Sequence, residues 1–265
     1  MSNFMRCHPL APMVLILFII CLSIGASSSA SNKETYYLKG NAFYDQGKYD
    51  KAEESYANAL SIDENYFEAQ KAMCNTKTAL HDCDSMSICY KKLFKLDPAS
   101  KENLDFVTKR LKDASCYRQT QGSDQYNSKL YDTLLEIYNE SLSRNINDSN
   151  VWNDKGIALG DLNRLEDSLD CFDKAIRINK AFAEAWNNRG VSLDKMDRHQ
   201  EALENYNKSI EIDPRLAEAW YNKGKTLGLE DASFEEARKC YFKAIEIDPL
   251  LKSKSEILDW IYKET

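Results

Sequence analysis

A block of tryptophan, three variable residues and glycine occurs three times in this chain, starting at Trp152, Trp186 and Trp220 with an unvarying spacing of 34 residues. A leucine lies three residues after each glycine, so each block occupies positions i, i+4 and i+7. These positions share one face of an α-helix. A unit that repeats at this period cannot bury its apolar face alone, and stacking against its neighbours buries that face.

A second helix is predicted in each unit. Ala202 and Tyr206 precede Pro214, and the same residue types recur in the next unit at Ala237, Tyr241 and Pro249. Glycine on the first helix and alanine on the second leave room for close approach, while the tyrosine supplies bulk. Proline lacks an amide N–H and disfavours helix at the residue before it, so the chain turns there into the following unit. The pattern predicts an all-α chain of helical hairpins.

These residues resemble the tetratricopeptide repeat, whose signature places Trp, Gly, a large residue, Ala, an aromatic residue and Pro over 34 residues. The resemblance is specific over residues 149–249, which it divides into three units. It implies antiparallel helix hairpins stacked as a right-handed α-α superhelix, the tetratricopeptide solenoid.

The repeat is weaker towards the N-terminus. Tyr36, Gly40 and Tyr56 match one unit over residues 33–66. A second unit, residues 67–100, has its proline near the end at Pro98, so residues 31–100 are predicted to contain the N-terminal repeat units. Pro98 and Pro214 are 116 residues apart, which exceeds three periods by 14. We therefore expect one enlarged, degenerate unit over residues 101–148, with a loop at 114–125. That loop is either a tolerated surface insertion or a hinge or partner loop between two halves of the array.

The first thirty residues differ from the rest. Arg6 precedes the wholly apolar run Met13–Leu22, which a tract of small residues ending at Ala30 follows. This order is typical of a secretory signal peptide, and the alternative is an uncleaved membrane anchor. Residues 1–30 are thus predicted to be one or the other. Either reading places the body outside the cytoplasm, as a secreted protein or one anchored by this segment.

The last residues, 250–265, are predicted to form a capping helix, because a stacked array needs a cover for its final apolar face. Trp260 and Tyr262 could instead dock a second chain, which would make the C-terminal helix a self-association surface.

Six cysteines follow the leader. Cys89, Cys171 and Cys240 each precede the aromatic position of a second helix, which marks a packing position. Cys74, His81, Cys83 and Cys89 lie close in sequence, but no Cys-x-x-Cys pair occurs, and we predict no metal site. In an oxidising compartment a disulfide is expected instead. Cys83 and Cys116 are the first candidate pair because both fall in turn regions of adjacent units.

Catalysis and nucleic-acid binding find no support. The formal net charge is −7, whereas binding to a phosphate backbone needs a basic stripe. The histidines are His8, His81 and His199, and no nucleophile elbow, phosphate loop or metal-spaced histidine pair occurs. We predict no enzyme and no cofactor.

Binding of a protein partner is what the resemblance implies, because the first helices of this family line a concave groove that holds an extended peptide or a partner helix. When the groove positions of the family are transferred to the matching positions of this sequence, the predicted groove residues are Tyr37, Asn41, Tyr44, Asn153, Glu184, Asn187, Glu218, Tyr221 and Lys225. The sequence therefore predicts an exported or membrane-tethered interaction scaffold. The alternative is a structural protein of the cell envelope that self-associates or acts as a spacer.

Overall fold

The computed structural model describes residues 30–113, 124–229 and 234–253. Within these ranges the chain forms only helices, so the predicted all-α repeat solenoid is confirmed. The helices are α1 Ala30–Asp45, α2 Tyr49–Ile62, α3 Phe67–Ala79, α4 Cys83–Leu96, α5 Lys101–Asp113, α6 Asp124–Arg144, α7 Ser149–Asp161, α8 Leu165–Ile178, α9 Ala183–Asp194, α10 His199–Ile212, α11 Ala217–Leu227 and α12 Phe234–Ile247, followed by a 3₁₀ helix, Pro249–Ser253.

Two compact units make up the chain, one ending at Leu80 and the other beginning at His81. In the first unit α1 packs against α2, and α2 packs against α3. In the second unit the hairpins are α7–α8, α9–α10 and α11–α12, and the second helix of each of the first two hairpins packs on the first helix of the next. The first helices α7, α9 and α11 also touch one another in series, so they form a common face.

Close approach within each hairpin depends on a glycine opposite an aromatic ring. A Cβ atom added at Gly156 would lie 2.6 Å from Cε1 of Phe172, which is closer than real Cβ contacts come. Gly40 faces Tyr56 and Gly190 faces Tyr206 in the same way. These aromatic side chains are buried in the cores of the two units. The glycine of the repeat is therefore a packing requirement, as the sequence pattern indicated.

The repeated tryptophans hold the turns between hairpins. Nε1 of Trp152, Trp186 and Trp220 donates a hydrogen bond to the backbone carbonyl six residues earlier, at 2.7, 3.2 and 3.0 Å. The same turns begin with an Asn or Asp whose side chain accepts from the amide two residues on, as at Asn179 and Asp213. Such Asx turns let the chain leave the helix and turn even where proline is absent. This explains why the unit that carries Lys180 in place of proline still turns.

Four of the described turns between consecutive helices contain a residue with positive φ. Gly47, His81, Asn163 and Asp197 have φ between 56 and 71°. Glycine, asparagine and aspartate tolerate this left-handed region better than other residues. His81, considered above as a metal ligand, stands at this turn position of the repeat.

The enlarged unit contains α5 and α6, which pack on each other and on α4. Residues 114–123 of the predicted loop lie outside the described residues, and α6 begins at Asp124. Asn145 makes the Asx turn after α6, one period of 34 residues before Asn179. The repeat register is therefore re-established at the end of α6, before α7 begins.

Both ends of the chain extend beyond the described part. The predicted signal or anchor segment lies outside it up to residue 29, and most of the predicted capping helix, with Trp260 and Tyr262, lies outside it from residue 254. Among the helices that the structure describes, none combines the length and the apolar character that crossing a membrane requires.

Candidate partner-binding surfaces

The first unit carries an open cavity of about 390 Å³, which we call the tyrosine groove. Its lining contains Tyr37, Asn41 and Tyr44, all three of which the resemblance placed in a binding groove. The other lining residues are Tyr56, Glu68, Lys71, Ala72 and Asn75. Sites of this volume fall in the range that accommodates ligands or side chains of a partner. The structure therefore brings the three predicted residues of this unit together.

The α3 side of the tyrosine groove was not predicted, although the sequence contains a signal for it. Glu68, Lys71 and Asn75 stand one period of 34 residues after Glu34, Tyr37 and Asn41. The repeat unit of residues 67–100 departs from the signature, and its groove positions were not carried over for that reason. Repeat position alone would have found them.

The tyrosines of the groove are held in place by further packing. The Tyr37 ring lies 6.1 Å from the Tyr56 ring and 5.4 Å from the Tyr66 ring, measured between centroids. Tyr44 packs edge-on against Tyr49 at 5.2 Å. Aromatic pairs at these distances favour tilted or edge-to-face geometry and add to area burial. The groove rings are thus positioned before any partner arrives.

A salt bridge between Lys33 and Asp63 lies beside Tyr66, one of the rings that pack on Tyr37. Nζ of Lys33 lies 2.6 Å from a carboxylate oxygen of Asp63 and 4.9 Å from the centre of the Tyr66 ring. The hydrogen bond between the two groups raises the pKa of Lys33 and lowers that of Asp63. Because both side chains are accessible to solvent, this pair orients Tyr66 more than it adds to stability.

Hydrogen bonding leaves part of the tyrosine groove free for a ligand. The Tyr56 hydroxyl donates to Oδ1 of Asn41 at 2.7 Å. Burial raises the pKa of Tyr56 to about 12, so this phenol stays protonated at neutral pH. Within the described residues, Nδ2 of Asn41 and the hydroxyls of Tyr37 and Tyr44 make no hydrogen bond.

In the second unit, four asparagines form a hydrogen-bonded ladder across α7, α9 and α11. Nδ2 of Asn222 donates to Oδ1 of Asn187 at 3.0 Å, and Nδ2 of Asn187 donates to Oδ1 of Asn188 at 3.3 Å. Nδ2 of Asn188 then donates to Oδ1 of Asn153 at 3.0 Å. The Asn222–Asn187 and Asn188–Asn153 bonds cross from one first helix to the next, and the Asn187–Asn188 bond joins them within α9, so the ladder ties the three hairpins together along their common face.

This asparagine ladder changes how two predicted groove residues are understood. Asn153 and Asn187 are each only 6% exposed, and their amides are engaged by other asparagines. They lie on the predicted face, where they position its helices. Contact of either side chain with a partner stays a prediction.

The remaining predicted residues of the second unit differ in accessibility. Glu184, Glu218 and Lys225 are exposed, whereas Tyr221 is half-buried with its ring 5.8 Å from that of Tyr241. Lys225 lines a cavity of about 340 Å³ that also contains Asp194 and His199. We call this cavity the aspartate pocket.

Asp194 organises the aspartate pocket, and sequence reasoning missed it. Its carboxylate accepts from the Tyr206 hydroxyl at 2.7 Å and from the Thr226 hydroxyl at 2.5 Å. Nδ1 of His199 lies 3.1 Å from the other carboxylate oxygen. Burial, reinforced by the Asp194 charge, raises the pKa of Tyr206. The carboxylate therefore connects the end of α9 to α10 and α11 at the lining of the pocket.

The cysteines are in two states. Cys74 and Cys89 are each disulfide-bonded, whereas Cys171 and Cys240 are free and buried, with thiol pKa values that burial raises. Cys116 and the side chain of Cys83 lie outside the described residues, so the predicted Cys83–Cys116 pair stays a prediction. In the described part of the chain, no group of three or more His, Cys, Asp or Glu residues could hold a metal ion.

Two sequence profiles of the tetratricopeptide repeat match the chain, one at residues 34–66 and 183–216 and the other at residues 149–182 and 217–249. Together the four ranges cover just over half of the 265 residues. The chain belongs to the tetratricopeptide repeat family. This confirms the resemblance drawn from the tryptophan blocks. Tetratricopeptide repeat proteins are generally non-enzymatic scaffolds for protein–protein interaction.

Three solved structures are similar to this chain. The structure titled "Functional Characterization of Pseudomonas Aeruginosa pilF" has a TM-score of 0.49 at 16% identity, covering 88% of this chain and 98% of that chain. A crystal structure of MamA has a TM-score of 0.48 at 23% identity, covering 68% and 96%. YrrB, described as a tetratricopeptide protein with an unusual peptide-binding site, has a TM-score of 0.44 at 19% identity, covering 73% and 92%. No curated protein sequence matches the chain significantly.

Proposed function

We propose that this tetratricopeptide repeat protein binds an extended peptide or a partner helix on surfaces formed by the first helices of each unit, and that the tyrosine groove is the contact in the first unit. The supporting observation is that Tyr37, Asn41 and Tyr44 line one cavity and keep hydrogen-bonding groups unused. Unused polar groups beside aromatic surface are what a binding site needs, because each must be satisfied when a partner excludes water.

The second unit contributes a further contact in this proposal. Glu184, Glu218 and Lys225 are exposed, and Val191 and Leu229 add apolar surface beside Lys225 in the aspartate pocket. Leu229 is 63% exposed, so its side chain is accessible to a partner. Mixed charge around an apolar centre is typical of peptide recognition.

Partner capture tests the proposal. The full chain would be immobilised and used to capture proteins from a cell-envelope extract, and the Tyr37→Ala and Tyr44→Ala variants would be compared with it. Ile62→Ala is the matched control, because Ile62 is exposed on α2 and does not line the tyrosine groove. We expect both tyrosine variants to lose a specific partner that Ile62→Ala retains. Equal capture by all forms would rule out the tyrosine groove as the contact.

For localisation we propose export, with the body secreted or tethered by its N-terminal segment. The supporting observations are the apolar run Met13–Leu22 with the small residues after it, and disulfide-bonded Cys74 and Cys89, since disulfides persist in oxidising compartments. Mass spectrometry of the purified N-terminus tests this. A mature chain starting near Ala30 supports cleavage, an intact Met1 in the membrane fraction supports an anchor, and an intact Met1 in the cytosol contradicts export.

The alternative, a self-associating or spacer protein of the envelope, makes a different prediction. Its body, without residues 1–30, would form a defined oligomer in sedimentation experiments, and removal of residues 254–265 would abolish that oligomer. A monomer at all concentrations would favour the scaffold that binds other proteins.

A further inference from the structure

The chemistry of the tyrosine groove narrows the kind of peptide that it would accept. Three tyrosines, Tyr37, Tyr44 and Tyr56, line it, together with one acidic and one basic residue, Glu68 and Lys71. The lining is therefore close to neutral, in a chain whose formal net charge is −7. An uncharged ligand with apolar rings suits such a site better than an acidic or basic one.

The unused polar groups are rich in hydrogen-bond donors. The amide oxygen of Asn41 already accepts from Tyr56, so what its side chain still offers is Nδ2, which is a donor. The hydroxyls of Tyr37 and Tyr44 can each donate one hydrogen bond and can also accept. A ligand that offers carbonyl oxygens matches all three donors, and one with few N–H groups brings few donors of its own that need acceptors. Proline-rich segments have this property, since proline keeps its carbonyl and has no backbone N–H.

The conformation of such a segment also fits. Proline-rich chains adopt the extended polyproline II helix, which makes no internal hydrogen bonds and leaves its carbonyls outward. Grooves lined by aromatic side chains recognise this helix because its rings pack on aromatic faces and it loses little entropy on binding. Here Tyr37 is fixed by Tyr56 and Tyr66, and Tyr44 by Tyr49, so the groove loses little entropy as well.

From these features we infer that the tyrosine groove is a receptor for a proline-rich segment of the partner protein. The inference rests on the proposed function and specifies its ligand class. The rings of Tyr37 and Tyr44 pack against proline rings, and Nδ2 of Asn41 donates to a ligand carbonyl. The Tyr56 hydroxyl keeps its bond to Asn41 and holds the amide in the donating orientation.

Peptide binding to the full chain tests the inference by fluorescence anisotropy. The probes are a fluorescein-labelled peptide of about ten prolines and a labelled glycine–serine peptide of equal length. We expect the proline peptide to bind at least about tenfold more tightly. Equal binding of the two probes, or no binding of the proline peptide, would overturn the inference.

Variants locate the site. Tyr44→Ala should weaken binding of the proline peptide about tenfold, and Tyr44→Phe, which keeps the ring, should weaken it less. Asn41→Asp removes the donor, keeps the acceptor for Tyr56 and has nearly the same shape, so it should weaken binding about fivefold without unfolding the chain. Ile62→Ala, at an exposed residue of α2 that does not line the tyrosine groove, is the matched control and should bind normally. Loss of binding with Ile62→Ala and none with Tyr44→Ala or Asn41→Asp would rule out the tyrosine groove as the site.

Different results would contradict the proposed binding function and the proposed proline-rich ligand. If the tyrosine variants lose a captured partner while the proline peptide does not bind, the scaffold proposal stands and the ligand class is wrong. If the tyrosine variants also leave partner capture unchanged, the groove itself is not the binding surface.

Discussion

Gly190 and Tyr206 are packed so closely that no other residue fits opposite the ring: a Cβ atom added at Gly190 would lie 2.6 Å from Cε1 of Tyr206 and 2.9 Å from its Cδ1. The ring is almost fully buried between α9 and α10 and is anchored by the bond from its hydroxyl to Asp194. Neither partner can shift without disturbing the hairpin.

Gly190→Ala should therefore destabilise the chain. Overpacking of a filled core costs about 1–3 kcal/mol. Replacing glycine by alanine inside a helix gains about 1 kcal/mol in helix propensity, so we expect a net loss of stability. Gly160→Ala is the matched control, because the nearest side-chain atom, Oγ of Ser168, would be 3.3 Å from its Cβ. Urea denaturation measures both. If the two variants lost the same stability, close packing at Gly190 would not be its cause.

Asn187→Ala should also lower stability, because Asn187 lies in the middle of the asparagine ladder. Its removal leaves Nδ2 of Asn222 and Oδ1 of Asn188 without their partner, at a cost of about 1–3 kcal/mol where water cannot replace it. Asn207→Ala, an exposed asparagine on α10, should change the free energy of unfolding by less than about 0.5 kcal/mol. A similar small change for Asn187→Ala would mean that the ladder contributes nothing measurable.

Alkaline pH should unfold the chain through its buried tyrosines. Burial raises the pKa of Tyr56 and of Tyr131 from 10.0 to about 12. Because folding favours the neutral phenol, this contribution to stability is complete below pH 10 and is lost as the pH rises from 10 towards 12. Phenolate absorbance and circular dichroism, followed together, should show late-titrating tyrosines whose ionisation accompanies loss of helix. Tyr131→Phe should remove one such group. Titration of every tyrosine near pH 10 with the helices intact would contradict this.

Thiol labelling should separate two classes of cysteine. Cys74 and Cys89 are disulfide-bonded and should resist alkylation in denaturant until a reductant is added. Cys171 and Cys240 are 4% and 3% exposed, and their pKa values are raised by burial, so they should react only on unfolding and need no reductant. Peptide mapping by mass spectrometry reads out each site. Rapid labelling of Cys171 in the native chain would contradict its burial in the core.

The fold could be predicted because its signals recur along the chain. Trp152, Trp186 and Trp220 mark one position of the unit, and each bonds the preceding turn in the structure. The same repeat carried Tyr37, Asn41 and Tyr44 onto one face, where they line one cavity. The groove positions of α3 were not predicted, and they lie in the unit of residues 67–100, which matches the signature less well.

Periodicity is a property of neighbours along a helix, so the order of residues was enough to predict the all-α repeat, its hairpins and the helix faces that they present. Which of those side chains remain available to a partner depends instead on how the helices pack against one another. Asn187 and Asn222 are 35 residues apart and meet because stacked hairpins bring their amides within 3.0 Å. Asp194 is likewise engaged by Tyr206 and Thr226 from two other helices. Hydrogen bonds depend on distances of a few tenths of an ångström between helices, and no pattern of residue types along one helix specifies those distances.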